Sequence, residues 1–573
     1  MNAAVHPERS PLEPPLLSVR GLRVSFKVDK RLREVVHGVD FDVHPGETVA
    51  IVGESGSGKS TTVHALIDLL PGTGKVTGGS IMWNGEELVG ARRRTMESIR
   101  GREIGLVPQD PMSNLNPVWS IGFQVEEAIR ANGLAHGRSE VRRRAVAVLE
   151  QAGLKDAATR MRQYPHQFSG GMKQRALIGI GLSADPQLLI ADEPTSALDV
   201  TVQRVVLDHL ESRTRELGTA VVFVTHDLGL AAERAQKLIV MYQGNIVESG
   251  PSREILENPR HPYTKRLVSA APSLASRRLG ADPELPPAPT ESFDLAAIAD
   301  PEAKPEVTAQ PMVEVENLTK AYKLRTGNFG SKEFLAVSDA TFEIHRGETL
   351  ALVGESGSGK STIAKMVLQL EPPTSGTIRI EGNDTTKLSA SQLFDLRSKL
   401  QPVFQDPYGS LDPLMSIGNT IAEPLNVHGV GDRTSRRERV LELLDQVALP
   451  RELASRYPNE LSGGQRQRVA VARGLALKPD ILVLDEAVSA LDVLVQAQIL
   501  DLLANLQREL GLTYLFITHD LAVVRLIADR VCVMEAGRIV EQATTDDVFE
   551  RPQQPYTQKL LDAIPGRDIQ LGV

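Results

Sequence analysis

The chain has 573 residues, of which 41% are hydrophobic, and it carries a formal net charge of −9. This length exceeds what one core usually holds, so two or more domains are expected. The acidic balance gives no general attraction to nucleic acid, and the single cysteine, Cys532, excludes an internal disulfide framework and any multi-cysteine metal site.

The N-terminus is polar and rich in proline, and it lacks the apolar segment that a secretory signal needs. No uninterrupted apolar stretch approaches the ~18 residues that cross a bilayer. We therefore expect a cytoplasmic protein with a disordered N-terminus over residues 1–15. The basic runs Arg92–Arg94 and Arg142–Arg144 are interpreted as solvated helix faces. Cys532 lies in the apolar run RVCVM and is expected to be a buried structural thiol.

Short motifs occur twice along the chain in the same order, which indicates an internal repeat. GESGSGKST at residues 53–61 returns at residues 354–362, and second copies of the QDP, SGG, SALD and THDL motifs follow. A period of this length is typical of duplicated domains rather than of a solenoid. The predicted organisation is a first domain (16–272), a linker rich in proline and acidic residues (273–311), a second domain (312–565) and a C-terminal tail (566–573).

The strands predicted in each copy are short apolar runs without alternation, for example residues 47–52, 187–192 and 220–225. Such runs are typical of a parallel sheet that is covered on both faces. Helical patterns such as residues 141–154 separate the strands. Each half is therefore predicted to be an α/β domain with a helical insertion.

A glycine-rich loop follows the first apolar strand of each copy and matches G-x-x-x-x-G-K-S. Its glycines let successive backbone N–H groups point at a phosphate. Lys59 and Lys360 are predicted to neutralise the β- and γ-phosphates, and Ser60 and Ser361 to bind Mg²⁺. The nucleotide-binding residues predicted in the two loops are Gly53, Ser55, Gly56, Gly58, Lys59, Ser60 and Thr61, and Gly354, Ser356, Gly357, Gly359, Lys360, Ser361 and Thr362.

An acidic pair ends a later apolar strand of each copy, Asp192–Glu193 in the first and Asp485–Glu486 in the second. The carboxyl ends of parallel strands meet at one edge of a sheet, so both pairs are expected beside the glycine-rich loops. Asp192 and Asp485 are predicted to hold Mg²⁺, directly or through water. Glu193 and Glu486 are predicted to polarise the attacking water.

Two further polar residues recur around each acidic pair. Gln109 and Gln405 follow a strand and open a loop, from which each is predicted to orient the attacking water or to bind the metal. His226 and His519 end the next apolar strand at a fixed distance after the acidic pair. A lone histidine there would be interpreted as structural, whereas the duplicated one is predicted to sense the γ-phosphate.

An SGG turn opens a helix in each half, and the whole set of motifs resembles the ATP-binding cassette superfamily over nearly the full chain. The resemblance implies that the SGG turn of the second half completes the ATP site that contains Lys59. The SGG turn of the first half likewise completes the ATP site that contains Lys360. The further site residues that it implies are the signature residues Ser169, Gly170, Gly171, Ser462, Gly463, Gly464 and Gln465, the adenine-stacking Phe26 and Tyr322, and the site-coupling Asp199 and Asp492.

Within that superfamily the details resemble the paired ATPases of peptide importers. The first half carries FSGGM, the second carries LSGGQRQR, and each ends in a segment that contains PYT. Residues 109–122 and 405–418 match the region that receives the membrane subunits. The resemblance implies two transmembrane permease subunits, an extracytoplasmic solute-binding protein, and a peripheral position on the cytoplasmic side of the membrane. It also implies one copy per transporter, with the two cassettes pairing within the chain.

ATP and Mg²⁺ are the expected cofactors, and both sites are expected to hydrolyse ATP. One subunit type of this group often carries a cysteine cluster after its PYT segment. This chain has none there, so no iron–sulfur cluster is expected. Two alternatives stay open: the same importer class with glutathione, nickel or another small solute as cargo, and a soluble tandem-cassette ATPase acting on ribosomes or nucleic acid. The acidic charge and the two PYT segments count against direct nucleic-acid binding.

Overall fold

The computed structural model separates the described residues into two compact units. We call residues 14–271 the N-terminal half and residues 311–564 the C-terminal half. Pro565, which the sequence assigns to the second domain, groups with the first unit together with Gly566. The predicted N-terminal segment, linker and tail lie almost wholly outside the described residues. The residues described are 14–28, 30–195, 198–271, 311–326, 330–489 and 491–566.

Two sheets form the framework of the N-terminal half. The strands are β1 (Leu17–Val28), β2 (Arg31–Val43), β3 (Thr48–Val52), β4 (Lys75–Trp83), β5 (Glu86–Glu87), β6 (Ile104–Val107), β7 (Leu188–Asp192), β8 (Ala220–Val224), β9 (Lys237–Tyr242) and β10 (Asn245–Pro251). Six pair in the order β10–β9–β3–β8–β7–β6, parallel except for β10. The other four form an antiparallel sheet in the order β2–β1–β4–β5.

Several helices of this half start at polar side chains that accept hydrogen bonds from the first turn. The helices are α1 (Lys59–Leu66), α2 (Arg93–Ile99), α3 (Pro111–Asn114), α4 (Ile121–Ala131), α5 (Arg138–Gln151), α6 (Ala157–Arg160), α7 (Gly170–Leu182), α8 (Val200–Leu217), α9 (Leu228–Arg234), α10 (Ser252–Glu257) and α11 (Pro262–Ala270), with a 3₁₀ turn at Pro165–Gln167. Ser169, Asp199 and Asp227 cap α7, α8 and α9 in this way. These helices therefore begin at points that their capping side chains fix.

Apolar clusters occupy both faces of the six-stranded sheet. On one face Ile51 and Ile190 pack with residues of β1 and α1. On the other face Phe223 packs with residues of α8. A third cluster joins α4, α5 and the start of α7 into a helical subdomain. Burial of both faces explains why β7 and β8 are apolar without alternation. The predicted α/β class with a helical subdomain is confirmed.

The C-terminal half repeats this architecture. Its strands are β11 (Val313–Thr326), β12 (Gly330–Ile344), β13 (Thr349–Val353), β14 (Ser375–Ile380), β15 (Asn383–Asp384), β16 (Leu400–Val403), β17 (Ile481–Asp485), β18 (Thr513–Ile517), β19 (Arg530–Glu535) and β20 (Arg538–Thr544). They form a six-stranded sheet in the order β16–β17–β18–β13–β19–β20 and a four-stranded antiparallel sheet in the order β12–β11–β14–β15. The duplication inferred from the motifs therefore extends to the complete strand order.

The helices of the C-terminal half fall in the same places between the strands. They are α12 (Lys360–Val367), α13 (Ala390–Lys399), α14 (Pro407–Ser410), α15 (Ile417–Val427), α16 (Arg433–Gln446), α17 (Gly463–Leu475), α18 (Val493–Leu510), α19 (Leu521–Ile527), α20 (Thr545–Glu550) and α21 (Pro555–Asp562), with 3₁₀ turns at Thr385–Lys387, Arg451–Ser455 and Pro458–Glu460. Cys532 is buried in β19, and burial raises the pKa of its thiol to about 12, as expected for a structural cysteine. Within the described ranges, none of the helices combines the length and apolarity needed to cross a membrane.

Candidate functional site

The glycine-rich loop of each half joins the central strand to a helix, β3 to α1 and β13 to α12. We call residues 53–60 and 354–361 the first and second phosphate loops. Gly53 has a φ of 148° and Gly354 a φ of 149°, a conformation that favours glycine. A Cβ atom on Gly53 would lie 2.1 Å from the carbonyl oxygen of Met241, so glycine is also needed there for space.

Alanine at Gly53 is expected to destabilise the N-terminal half more than alanine at Gly56. Both positions have positive φ, which costs roughly 1–2 kcal/mol for any other residue. Only Gly53 adds a collision with backbone, because a Cβ on Gly56 would meet nothing within 4 Å. Calorimetric melting of full-length Gly53→Ala and Gly56→Ala checks this. Equal melting temperatures of the two variants would contradict it.

The lysine of each phosphate loop folds back over its own loop. Lys59 Nζ donates to the carbonyl oxygens of Gly53 and Glu54, both at 2.8 Å. Lys360 Nζ donates to those of Gly354 and Glu355, at 2.7 and 2.9 Å. Both lysines are buried. Each positive charge is therefore held at the centre of the loop, where the sequence predicts that phosphates bind.

The serine that follows each lysine reaches the aspartate of the acidic pair. Ser60 Oγ donates to Asp192 Oδ1 at 3.0 Å, and Ser361 Oγ donates to Asp485 Oδ1 at 3.3 Å. Burial, together with the charge of the neighbouring glutamate, raises the pKa of both aspartates. A cation beside these carboxylates would offset that cost, and hydroxyl and carboxylate oxygens are ligands that suit Mg²⁺. The donor set of both halves therefore fits the predicted metal.

The glutamate of each acidic pair lies between the glutamine and the histidine that the sequence singled out. Gln109 Nε2 donates to Glu193 Oε2 at 2.7 Å, and His226 Nδ1 lies 3.4 Å from Glu193 Oε1. In the C-terminal half the corresponding distances from Glu486 are 2.6 Å to Gln405 and 3.5 Å to His519. Both oxygens of each carboxylate are thus engaged, which fixes its orientation.

Glu193 and Glu486 also share an unusual backbone. Their φ angles are 43° and 49°, in the left-handed region that most residues avoid. The backbone N–H of each glutamate donates at 2.9 Å to the neighbouring strand, Glu193 to the Val224 carbonyl and Glu486 to the Ile517 carbonyl. The strand ends therefore turn sharply at the glutamate.

Each glutamate and its histidine shift one another's pKa. Burial acts to raise the pKa of Glu193, but the hydrogen bond and charge of His226, together with the charge of Lys59 and the hydrogen bond from Gln109, outweigh it, and the pKa is lowered. Burial acts to lower the pKa of His226, but Glu193 outweighs it, and that pKa is raised. Glu486 and His519 shift in the same directions for the same reasons. Each glutamate therefore stays ionised, as a proton acceptor must be.

The signature turns and the SALD aspartates stand at helix starts. Ser169 Oγ accepts from Met172 N at 3.4 Å, and Ser462 Oγ accepts from Gln465 N at 3.3 Å. Asp199 and Asp492 accept from the first turns of α8 and α18. The structure does not group these residues with the phosphate loop of their own half. Their roles at the nucleotide therefore stay predictions.

Close packing also requires glycine in the signature turns. A Cβ on Gly171 would lie 2.5 Å from Val202 Cγ1, and one on Gly464 would lie 2.4 Å from Val495 Cγ1. These valines belong to α8 and α18. Glycine therefore allows each signature helix to approach the helix that the SALD aspartate caps.

The two aromatic residues predicted to stack on adenine have different surroundings. Phe26 is half-buried in β1 and packs against the core near Gly74. Tyr322 lies in β11, and its hydroxyl donates to Glu371 Oε2 at 2.7 Å. Burial and the Glu371 carboxylate raise the pKa of Tyr322. Both residues lie in strands, as expected, and their stacking on adenine stays a prediction.

Three residues that contact these sites were not anticipated from the sequence. His64 Nε2 lies 3.5 Å from Asp192 Oδ2, whereas the second loop helix carries Lys365 at the matching position. The PYT tyrosines, Tyr263 and Tyr556, bond to the backbone of the phosphate loops. The sequence marked the PYT segments only by family resemblance. Nothing in their spacing pointed to the loops.

Comparison with known proteins gives matches over both halves. The family described as ABC transporter matches residues 36–196 and 337–489, and the family described as Oligopeptide/dipeptide transporter, C-terminal region, matches residues 247–294 and 540–572. The glutathione import ATP-binding protein GsiA of Pectobacterium atrosepticum is 44% identical over 563 residues, which cover 96% of this chain and 90% of that protein.

Further relatives give similar figures. GsiA of Salmonella typhimurium is 43% identical over 569 residues, covering 96% of this chain and 90% of that protein. GsiA of Escherichia coli is 44% identical over 565 residues, covering 96% of this chain and 89% of that protein. The similarity therefore extends through both halves and is not confined to the phosphate loops.

Proposed function

This chain belongs to the ABC transporter family, whose members bind and hydrolyse ATP, and from that premise we propose that it energises a binding-protein-dependent importer of small peptides. The observation that carries the proposal is the duplicated C-terminal region typical of oligopeptide and dipeptide transporters, which follows each cassette. The relatives named for glutathione import match almost the whole chain, which supports the same direction of transport.

Di- and oligopeptides are the proposed class of cargo, and glutathione, itself a small peptide, is the specific candidate that the relatives' names support. Nickel or another small solute remains the alternative cargo within the same importer class. The chain offers no cargo site of its own in this proposal, because the cargo contacts the permeases and the binding protein.

The geometry of each half supports a role in ATP hydrolysis. Lys59 and the N–H groups of its loop would bind the phosphates, and Ser60, Asp192 and Gln109 would hold Mg²⁺, which neutralises the charge of the β- and γ-phosphates. Glu193 would accept a proton from the attacking water. Gln109 and His226, on either side of that carboxylate, orient it. Lys360, Ser361, Asp485, Glu486, Gln405 and His519 have the same proposed roles in the second half.

Closure of each site by the signature turn of the other half is part of the proposal. A serine-capped helix start is a suitable anion cradle, because its N–H groups and dipole favour negative charge. Ser169 and Ser462 stand at such starts. Asp199 and Asp492 would couple the two sites.

Two permease subunits and an extracytoplasmic binding protein are the proposed partners, with this chain on the cytoplasmic face of the membrane. The loops that begin at Gln109 and Gln405 support a docking role, because each carries solvent-exposed apolar side chains. Val118 is 73% exposed and Leu414 is 85% exposed. Trp119, beside Val118, is also exposed and contacts Phe123 edge to face. One chain would serve one transporter, since it carries both cassettes.

Capture of the tagged chain from gently solubilised membranes, followed by mass spectrometry, tests this proposal. We expect two multi-span permease subunits, and aspartate at both Trp119 and Leu414 should abolish their capture. Aspartate at Leu510, an exposed leucine at the end of α18, is the matched control and should leave capture unchanged. The absence of any membrane partner would contradict the importer, and ribosomal partners in place of permeases would also favour the ribosome-associated alternative.

A further inference from the structure

A tyrosine of the last helix in each half reaches back to the phosphate loop. The N–H of Glu54, the second residue of the first loop, donates to the Tyr263 hydroxyl at 2.9 Å. The N–H of Glu355 in the second loop donates to the Tyr556 hydroxyl at 3.1 Å. These tyrosines lie about 200 residues along the chain from the loops that they contact. The same bond therefore forms in both halves.

The bonded peptide group is held from both of its ends. In the Gly53–Glu54 peptide group the Gly53 carbonyl accepts from Lys59 Nζ at 2.8 Å, while the Glu54 N–H donates to the tyrosine. In the Gly354–Glu355 peptide group of the second loop the Gly354 carbonyl accepts from Lys360 Nζ at 2.7 Å. A tight turn leaves such backbone groups without a partner in regular structure, and a side chain is one of the groups that can supply it. The tyrosine hydroxyl does so.

Both tyrosine rings are fixed by packing. Tyr263 is 1% exposed and stacks on Tyr242 with ring centroids 4.2 Å apart. Tyr556 is 9% exposed and packs in an apolar cluster with Val533 and Leu560. A ring held in this way places its hydroxyl at one point, so the bond to the loop is directional and rigid.

The helix that carries each tyrosine is itself tied to the sheet. Glu248 of β10 accepts from the N–H groups of Arg260 and His261, at 2.9 and 3.0 Å, just before α11 begins at Pro262. In the C-terminal half Glu541 of β20 accepts from Gln553 and Gln554, at 2.8 and 3.1 Å, just before α21. The connection from strand to helix to phosphate loop is therefore built the same way twice, although the bonded residues differ.

We propose that Tyr263 and Tyr556 are positioning residues for ATP, which hold the first peptide group of each phosphate loop in the conformation that binds phosphate. The proposal rests on the function proposed above for these loops. A loop that is held in its binding conformation loses less freedom when the ligand arrives, so the bond raises affinity for ATP. It acts on the loop and not on the reacting atoms, so the chemical step is unaffected.

The test is the full-length double variant Tyr263→Phe/Tyr556→Phe, which removes two hydroxyls and keeps both rings. Loss of one neutral hydrogen bond per site predicts a rise of about threefold to tenfold in the KM for ATP and in the Kd of a fluorescent ATP analogue. The kcat should stay within about twofold of the wild type, because the hydroxyls touch no reacting group. Tyr242→Phe is the control, since it removes the hydroxyl of the stacked neighbour, which bonds Gln243.

Unchanged KM and Kd in the double variant would overturn the inference, whether or not its melting temperature falls. A lower kcat at unchanged KM would overturn it too, because that result places the tyrosines in the chemical step. An equal rise in KM for Tyr242→Phe would show a general packing effect and would likewise overturn it. Failure of the wild-type chain to bind ATP would instead overturn the proposed function, and this inference with it.

Discussion

Replacing Glu193 and Glu486 together by glutamine is expected to lower ATP turnover about a hundredfold to ten-thousandfold, which is the usual contribution of a general base. Glutamine keeps the size of the side chain but cannot accept the proton. Both carboxylates are ionised and oriented in the same way, so both halves should contribute to turnover. Release of phosphate by the purified chain measures the effect.

The single variants decide whether the two sites are alike. Glu193→Gln and Glu486→Gln should each lower turnover, while a fluorescent ATP analogue still binds to both. Glu216→Gln, at an exposed glutamate on α8, is the matched control and should have no effect. Full turnover in either single variant would show that its half does not hydrolyse ATP, and the symmetric assignment would then be wrong.

Replacing Lys59 by methionine is expected to lower the affinity of the first loop for ATP by about a hundredfold. Hydrogen bonds to a charged group contribute roughly 1.5–3 kcal/mol each, and tenfold in affinity corresponds to about 1.4 kcal/mol. Methionine has an unbranched side chain of nearly the same length and carries no charge. Titration with a fluorescent ATP analogue should show two sites in the wild type, one in Lys59→Met or Lys360→Met, and none in the double variant.

Lys155→Met is the control for this titration, because Lys155 is exposed and lies in the helical subdomain of the same half. It should retain both sites at wild-type affinity. Two full-affinity sites in Lys59→Met would instead show that the buried ammonium group only supports its own loop, through the bonds to Gly53 and Glu54.

The central sheet could be predicted because its strands are buried on both faces. Strands such as β8 and β18 are uninterrupted apolar runs, which a simple pattern detects. The antiparallel sheet was not predicted as a separate layer. Its register shifts at irregular points, between Val19 and Leu22 in β1 and between Val315 and Leu318 in β11, which breaks the alternation of residues that a sequence pattern needs.

The candidate site could be predicted where the chemistry needs a particular residue type at a strand end. Glu193, Gln109 and His226 were found in this way, and the fold brings them together. The bond from Tyr263 to the loop could not be found, because it depends on the packing of the last helix against the sheet. His64 was missed for a similar reason, because nothing in the sequence around it indicates which residue it contacts. Only the position of α1 brings it near Asp192.

Because Glu193 and Glu486 have a left-handed backbone, the residue type that is best for stability at those two positions differs from the one that ATP turnover needs. Glycine and asparagine adopt that conformation at lower cost than glutamate, by roughly 1 kcal/mol. Laboratory evolution for heat resistance alone would therefore favour losing the two residues that turnover needs. A selection for heat-stable variants has to be coupled to growth on the transported cargo, or it will enrich well-folded chains that no longer work.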